Sequence, residues 1–177
     1  MKTLIIAAHP DIAHSRVNKS WLNAAKKDGN FVIHEIYKEY PNWQIDVKKE
    51  QELLEKFEYV VFEFPLYWYS YPPLLKKYFD DVFAYGWAYG SKGKALNGKK
   101  FALAVSVGDD EREYSKDGHI GFSIEEVVTP FKSAVNFVGA KLLPSFFAFG
   151  FSIDPSDELV ENSTKEYMKF LRDLSFS

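Results

Sequence analysis

The chain has 177 residues and no cysteine, which excludes disulfides and thiolate metal sites. It has no apolar run near the roughly 20 residues that span a bilayer. The opening MKTLIIAAHP carries one lysine, a short apolar core and no cleavage site, so no signal peptide is expected. A strong charge of one sign is also missing. A net charge of −3 gives no general pull toward nucleic acid or an anionic membrane. No repeat, low-complexity tract or linker-like break appears, so one domain over 1–177 with a cytoplasmic address is expected.

Aromatic rings are abundant instead: 16 Phe, 11 Tyr and 4 Trp make up 18% of the chain. They fit a Phe-rich core, or a flat apolar ligand site walled by rings. Their placement along the chain has to decide.

Apolar runs alternate with helical patterns. Strands are expected at 3–8 (TLIIAA), 31–37, 59–64 (YVVFEF), 100–107 and 141–150, the last interrupted by Pro144. Helices are expected after each. The first is capped by Ser15 and ended by Gly29, a short one spans 47–57, and one opens at Pro72 and Pro73. A fourth is capped by Thr129 with Pro130 behind it, and the last spans about 156–174. Near-continuous apolar strands imply a parallel α/β sheet covered on both faces. The commonest five-stranded solution is a flavodoxin-like three-layer sandwich with strand order 2-1-3-4-5. Its ligands bind beyond the carboxyl ends of the strands, beside the first and third.

Chemistry is therefore expected in the loops after strands one, three and four. The first holds His9, His14, Ser15, Arg16, Val17 and Asn18. A helix start there suits a phosphate, with Arg16 adding charge and His9 and Asn18 adding donors. A backbone-satisfied loop histidine is the plainer reading of His9. His14 reads as a surface spacer. No metal is expected, because neither histidine has a partner at ligand spacing. The second loop, FPLYWYSYPP, puts four rings in five positions from Tyr67 to Tyr71. It reads as a platform for a planar ring system, or as rings folded back or buried between subunits. The third offers Ser106 and Gly108 at the same mouth, with Tyr114 and His119 further on. An anion cradle beside a planar platform describes a flavin mononucleotide (FMN) site. The GxGxxG of a Rossmann dinucleotide site is absent after strand one. The acidic pair of a phosphoacceptor receiver domain is absent there too, where His9-Pro10 stands.

Several segments carry a more specific likeness: AHP with HSRVN, YPNWQIDVKKEQ, FPLYWYSYPPLLKKYFDDVFAYGWAYG and ALNGKKFALAVSVG. In register over nearly the whole chain, they resemble the NAD(P)H:quinone oxidoreductase family. The likeness is strongest to the flavoprotein ancillary to Kef glutathione-gated potassium efflux and to bacterial general-stress reductases. The resemblance implies a homodimer with flavin sites at its interface. It also implies ping-pong, two-electron hydride transfer from NADH or NADPH to quinones or similar electrophiles. It assigns His9, Ser15, Arg16, Val17 and Asn18 to the flavin phosphate, and Leu66, Tyr67, Trp68 and Tyr69 to the ring system. Ser106, Val107, Gly108 and Asp109 are assigned to the ring's edge, and Tyr114 and His119 to a catalytic tyrosine–histidine pair. Phe83, Trp87 and Tyr89 are expected as apolar walls of the substrate pocket. Where relatives often have two or three glycines, this chain has Gly108-Asp109-Asp110. The long C-terminal extension of the mammalian FAD enzymes has no counterpart, which implies FMN rather than FAD. A regulatory role on a membrane potassium-efflux protein, peripheral at the inner face of the membrane, is the alternative. A flavodoxin-type electron carrier is a second rival, and such carriers are usually more acidic.

Overall fold

The computed structural model describes residues 2–152 and 155–174. The strands β1 (Thr3–Ala7), β2 (Phe31–Glu35), β3 (Tyr59–Pro65) and β4 (Lys100–Ser106) are followed by β5 (Lys141–Leu142) and β6 (Phe146–Ala148). All pairings are parallel and the order is β2-β1-β3-β4-β5, with β6 also paired to β4. The two short strands occupy the expected fifth position. Pro144 lacks the N–H a ladder needs, so the run expected at 141–150 breaks around it.

The helices are α1 (Val17–Asp28), α2 (Ile36–Glu39), α3 (Val47–Glu55), α4 (Pro73–Val82), α5 (Ile124–Val127), α6 (Thr129–Phe137) and α7 (Asp157–Leu174). The single-turn α2 and α5 were not expected. The first shortens the second strand to Glu35, and a capping box between Ser123 and Glu126 forms the second. On one face of the sheet, Trp21, Leu22, Tyr167 and Leu171 of α1 and α7 cover Ile5, Val61 and Ala102. On the other, Leu74, Tyr78, Phe131 and Val135 of α4 and α6 cover Leu4, Phe62 and Leu103. Most of the expected rings form this core. Phe62 alone makes edge-on contacts with Phe79, Phe101 and Phe131 at 5.1–5.5 Å.

Two expected caps differ. Ser15 makes no capping hydrogen bond. Its N–H donates to the Ile12 carbonyl at 3.3 Å, closing the preceding turn, and helical backbone already begins at Arg16. Thr129 is the first residue of α6 rather than its cap, because α5 runs into it through Val128. Gly29 ends α1 as expected, in the left-handed conformation at φ 77°.

Candidate functional site

The carboxyl ends of β1, β3 and β4 open onto one mouth. A cleft of about 370 Å³ lies there, lined by the β1–α1 loop, Pro65 to Tyr67, Ser106 to Gly108, Phe151 and Pro155. A smaller hollow of about 160 Å³ adjoins it through Leu66 and Gly108, and takes in Trp68, Tyr69, Asp109, Tyr114 and Ser152. The two together bring the loops after strands one, three and four into a single site.

At one end stands the start of α1, where Val17 and Asn18 occupy the first turn and their N–H groups lack intrahelical acceptors. The Arg16 guanidinium bonds the Asp157 carboxylate at 2.5 Å, tying this end to the first turn of α7. His9 accepts the Asp11 backbone N–H on Nδ1 at 3.0 Å. The ring proton is thus on Nε2, as a donor. Burial lowers its pKa against the raising pull of Asp11, so the ring is neutral. His14 is exposed and paired with Asp11 at 2.8 Å.

The aromatic loop is a tight reversal. Tyr67 and Ser70 exchange both backbone hydrogen bonds at 3.0 Å. Trp68 and Tyr69 between them have φ of 47° and 60°. Left-handed backbone costs a residue with a side chain about 1–2 kcal/mol, and glycine is the usual occupant. The strain holds the rings outward: Trp68 is 92% exposed and Tyr69 46%.

On the third side, the Val107 N–H donates to Ala148 at 2.8 Å and its carbonyl accepts from Phe151 at 3.2 Å. The Gly108 and Asp109 carbonyls accept from Ser152 and Gly150, each at 2.9 Å. Val107 is therefore committed on both sides. The Gly108 and Asp109 N–H groups have no acceptor among the described residues. Tyr114 is buried against Phe149, with its ring centroid 5.7 Å away, and burial with Asp109 nearby pushes its phenol up to about 12. His119 stands on the rim. Its Nδ1 is 2.7 Å from Glu113 Oε2 and its Nε2 is 3.7 Å from Asp109 Oδ2. Tyr114 and His119 are near neighbours on one loop, and each is held by partners other than the other.

A family model described as a flavodoxin-like fold matches residues 1–171. The chain belongs to that family. This flavodoxin-like protein is 44% identical over 172 residues to the NAD(P)H oxidoreductase YrkL of Bacillus subtilis (strain 168), covering 97% of this chain and 98% of the relative. It is 45% identical, with a TM-score of 0.93, to general stress protein 14 of Treponema denticola, whose crystal structure is a complex with FMN; the match covers 98% and 99% of the two chains. An NADPH-quinone reductase from P. pentosaceus is 30% identical, with a TM-score of 0.86 over 97% and 98%.

Not every expected site residue of this flavodoxin-like protein lies at the mouth. Phe83, Trp87 and Tyr89 follow α4, which runs back to the amino ends of the strands. Phe83 packs on Phe101 and Phe79, Trp87 Nε1 donates to Glu55 at 2.7 Å, and Tyr89 meets Phe137. Within one chain they do not join the cleft.

One residue of the site escaped the sequence reading. Glu63, on β3, is 1% exposed directly beneath the cleft. It faces the α1–α7 side, where Tyr167 donates to its Oε2 at 2.6 Å. Burial is the main cause that raises its carboxyl to about 8, despite the lowering effects of the Tyr167 bond and the nearby Asn18 amide. A single carboxylate inside YVVFEFP was the available signal, since a strand buried on both faces has no solvent for it.

Proposed function

We propose that this protein is an FMN-dependent NAD(P)H oxidoreductase that reduces quinones or similar electrophiles. The observation that carries the reading is the joined cleft, with an anion-suited helix start at one end and, at the other, a ring-bearing turn beside the unpartnered N–H groups of Gly108 and Asp109. The residues present fit the group. A phosphate meets the N–H groups of Val17 and Asn18 and the Nε2 donor of His9. A planar ring system meets the Leu66–Tyr69 segment, and its polar edge meets the Gly108 and Asp109 N–H groups.

FMN held here would supply the two-electron hydride chemistry between NAD(P)H and the second substrate, in a ping-pong order. The protein binds, orients and holds charge. N–H donors beside the ring edge favour the negative charge that reduction creates. Tyr114, its phenol protonated throughout the neutral range, is a donor toward an acceptor oxygen, and His119 is a second proton source at the rim.

The same reading makes the protein a homodimer. Trp68, Tyr85 at 72% and Phe137 at 70% exposure present large apolar surface to water, more than an isolated chain leaves without a partner. Phe83, Trp87 and Tyr89 lie with Tyr85 and Phe137. In this proposal that surface reaches the cleft of the second copy, which is how Trp87 and Tyr89 wall the substrate pocket, while Phe83 is buried behind them in its own core.

The test is reconstitution with FMN. Yellow protein bleached by NADPH under anaerobic conditions, and restored by a quinone, is the expected outcome. Protein that takes up no flavin, or whose bound flavin stays oxidised with both NADH and NADPH, overturns the reading.

A further inference from the structure

Beneath the cleft, Ser106 is 7% exposed, Asn18 2% and Glu63 1%. The Ser106 hydroxyl donates to Asn18 Oδ1 at 2.7 Å. Beyond Asn18 the chain of bonds stops. Asn18 Nδ2 and Glu63 Oε1 are both fully buried and neither has a partner at hydrogen-bond distance. The Asn18 amide is nevertheless near enough to lower the carboxyl. Two orphaned polar atoms side by side in a close-packed core cost about 1–3 kcal/mol each, unless another arrangement pairs them.

The protonation state of Glu63 supplies that arrangement. Ionised, Glu63 only accepts. Asn18 then turns its NH2 toward the carboxylate and its oxygen toward Ser106, and the serine proton is spent inward. Protonated, Glu63 accepts from Tyr167 on Oε2 and donates from Oε1. A half-turn of the amide lets Asn18 Oδ1 take that proton and Nδ2 donate to Ser106 Oγ. The serine hydroxyl proton is then free to point into the cleft, and it is satisfied only when an acceptor is there.

We propose that Glu63 is a proton-linked positioning residue for the cofactor, whose protonated carboxyl turns Ser106, through Asn18, into a donor facing the cleft. The proposal rests on the flavoprotein reading for the identity of the acceptor. Cofactor binding favours the protonated carboxyl, so binding above the carboxyl's pKa takes up one proton from solvent. The groups facing Glu63 are Tyr167 from α7 and Asn18 from α1, with Glu35 of β2 raising and Lys26 of α1 lowering the carboxyl at longer range. Lys26 and Glu35 bond each other at 3.0 Å, which offsets much of their pull.

The experiment is FMN binding by the apoprotein, followed by quenching of flavin fluorescence from about pH 7 to about pH 9, a range over which the phosphate's second ionisation (pKa about 6) is nearly complete. Wild type is expected to bind about tenfold more weakly at the alkaline end than at pH 7 or so, with calorimetry in two buffers showing proton uptake there. Glu63→Gln mimics the neutral acid, donating from its amide nitrogen. It is expected to match wild type at neutral pH and to lose the pH dependence and the proton uptake. Tyr167→Phe removes a bond that favours the carboxylate and is expected to move the midpoint upward. The proposal is overturned if Glu63→Gln keeps the wild-type pH dependence, or if it binds FMN about tenfold more weakly at neutral pH while its circular dichroism is unchanged. Wild type that binds no FMN at any pH overturns the flavoprotein reading itself, and a wild-type affinity flat with pH overturns this proposal alone.

Discussion

Among the described residues two glutamates are buried, one on each side of the sheet, and they are treated in opposite ways. Glu50, on α3, is fully buried and saturated. Tyr40 donates to its Oε1, His34 Nε2 lies 2.9 Å from the same oxygen, and Tyr78 donates to Oε2 at 3.0 Å. Burial pushes this carboxyl up, and the bonds from His34, Tyr40 and Tyr78 outweigh it, so its pKa ends below the ordinary value. Glu63 is as little exposed but lies deeper, on a central strand, with one donor and one orphaned oxygen, and burial wins. The charge of a buried carboxylate is set by its depth together with the number of donors aimed at it. The closed network ties α2, α3 and α4 to β2 far from the cleft. The open one lies beneath the cleft, where an incomplete set of bonds leaves room for a ligand to complete it.

The largest expected effect breaks the closed side. Glu50→Ala leaves His34, Tyr40 and Tyr78 without their common acceptor and is expected to cost about 3–5 kcal/mol in urea unfolding. The open side responds with the opposite sign. The Glu63 carboxyl is raised on folding, so the native state holds a proton that the unfolded chain releases. Wild-type stability therefore falls as pH rises from the ordinary carboxylate range to about 8 and is level beyond. Glu63→Gln abolishes that fall and is expected to gain a few kcal/mol over wild type above pH 8 or so, with little gain near pH 4. A stability difference independent of pH would show that the carboxyl is ionised in the fold. For Glu50 the lowered pKa reverses the trend: its contribution is present above the ordinary carboxylate range and is lost as pH falls through the lowered value.

Smaller effects sharpen the contrast. Replacing Trp68 and Tyr69 by Asn-Gly suits the left-handed turn and is expected to stabilise the fold by about 1–2 kcal/mol while weakening FMN binding. That stability gain would identify the turn, like Glu63, as a place where the cleft is maintained at the expense of the fold. Tyr78→Phe removes one of three donors to Glu50 and is expected to cost about 1 kcal/mol, because the carboxylate keeps two partners.

The element order, the parallel sheet and the mouth at the ends of the first, third and fourth strands were legible in the chain, because buried strands and amphipathic helices write their periods directly into it. The loops at the mouth were legible as well, since rings and prolines in FPLYWYSYPP contradict an ordinary solvated turn. What escaped depends on neighbours distant in sequence. Ser15 appeared to be a cap by residue type, yet helical backbone begins at Arg16, which is tied to Asp157. Val107 appeared to be available and is committed to Ala148 and Phe151. Phe83, Trp87 and Tyr89 were expected as walls of the pocket, and α4 carries them away from the cleft of their own chain, so only a second copy can bring such rings to it.

The sequence by itself determined the layers, the strand order and which loops share one mouth, because these follow from local periodicity and the handedness of parallel crossovers. Only the tertiary structure decided the states of the two glutamates. Each reads in the chain as one acidic letter, and its charge depends on hydroxyls and amides that folding brings from 10 residues away for Tyr40 and 104 for Tyr167. No local pattern encodes how many of those donors arrive.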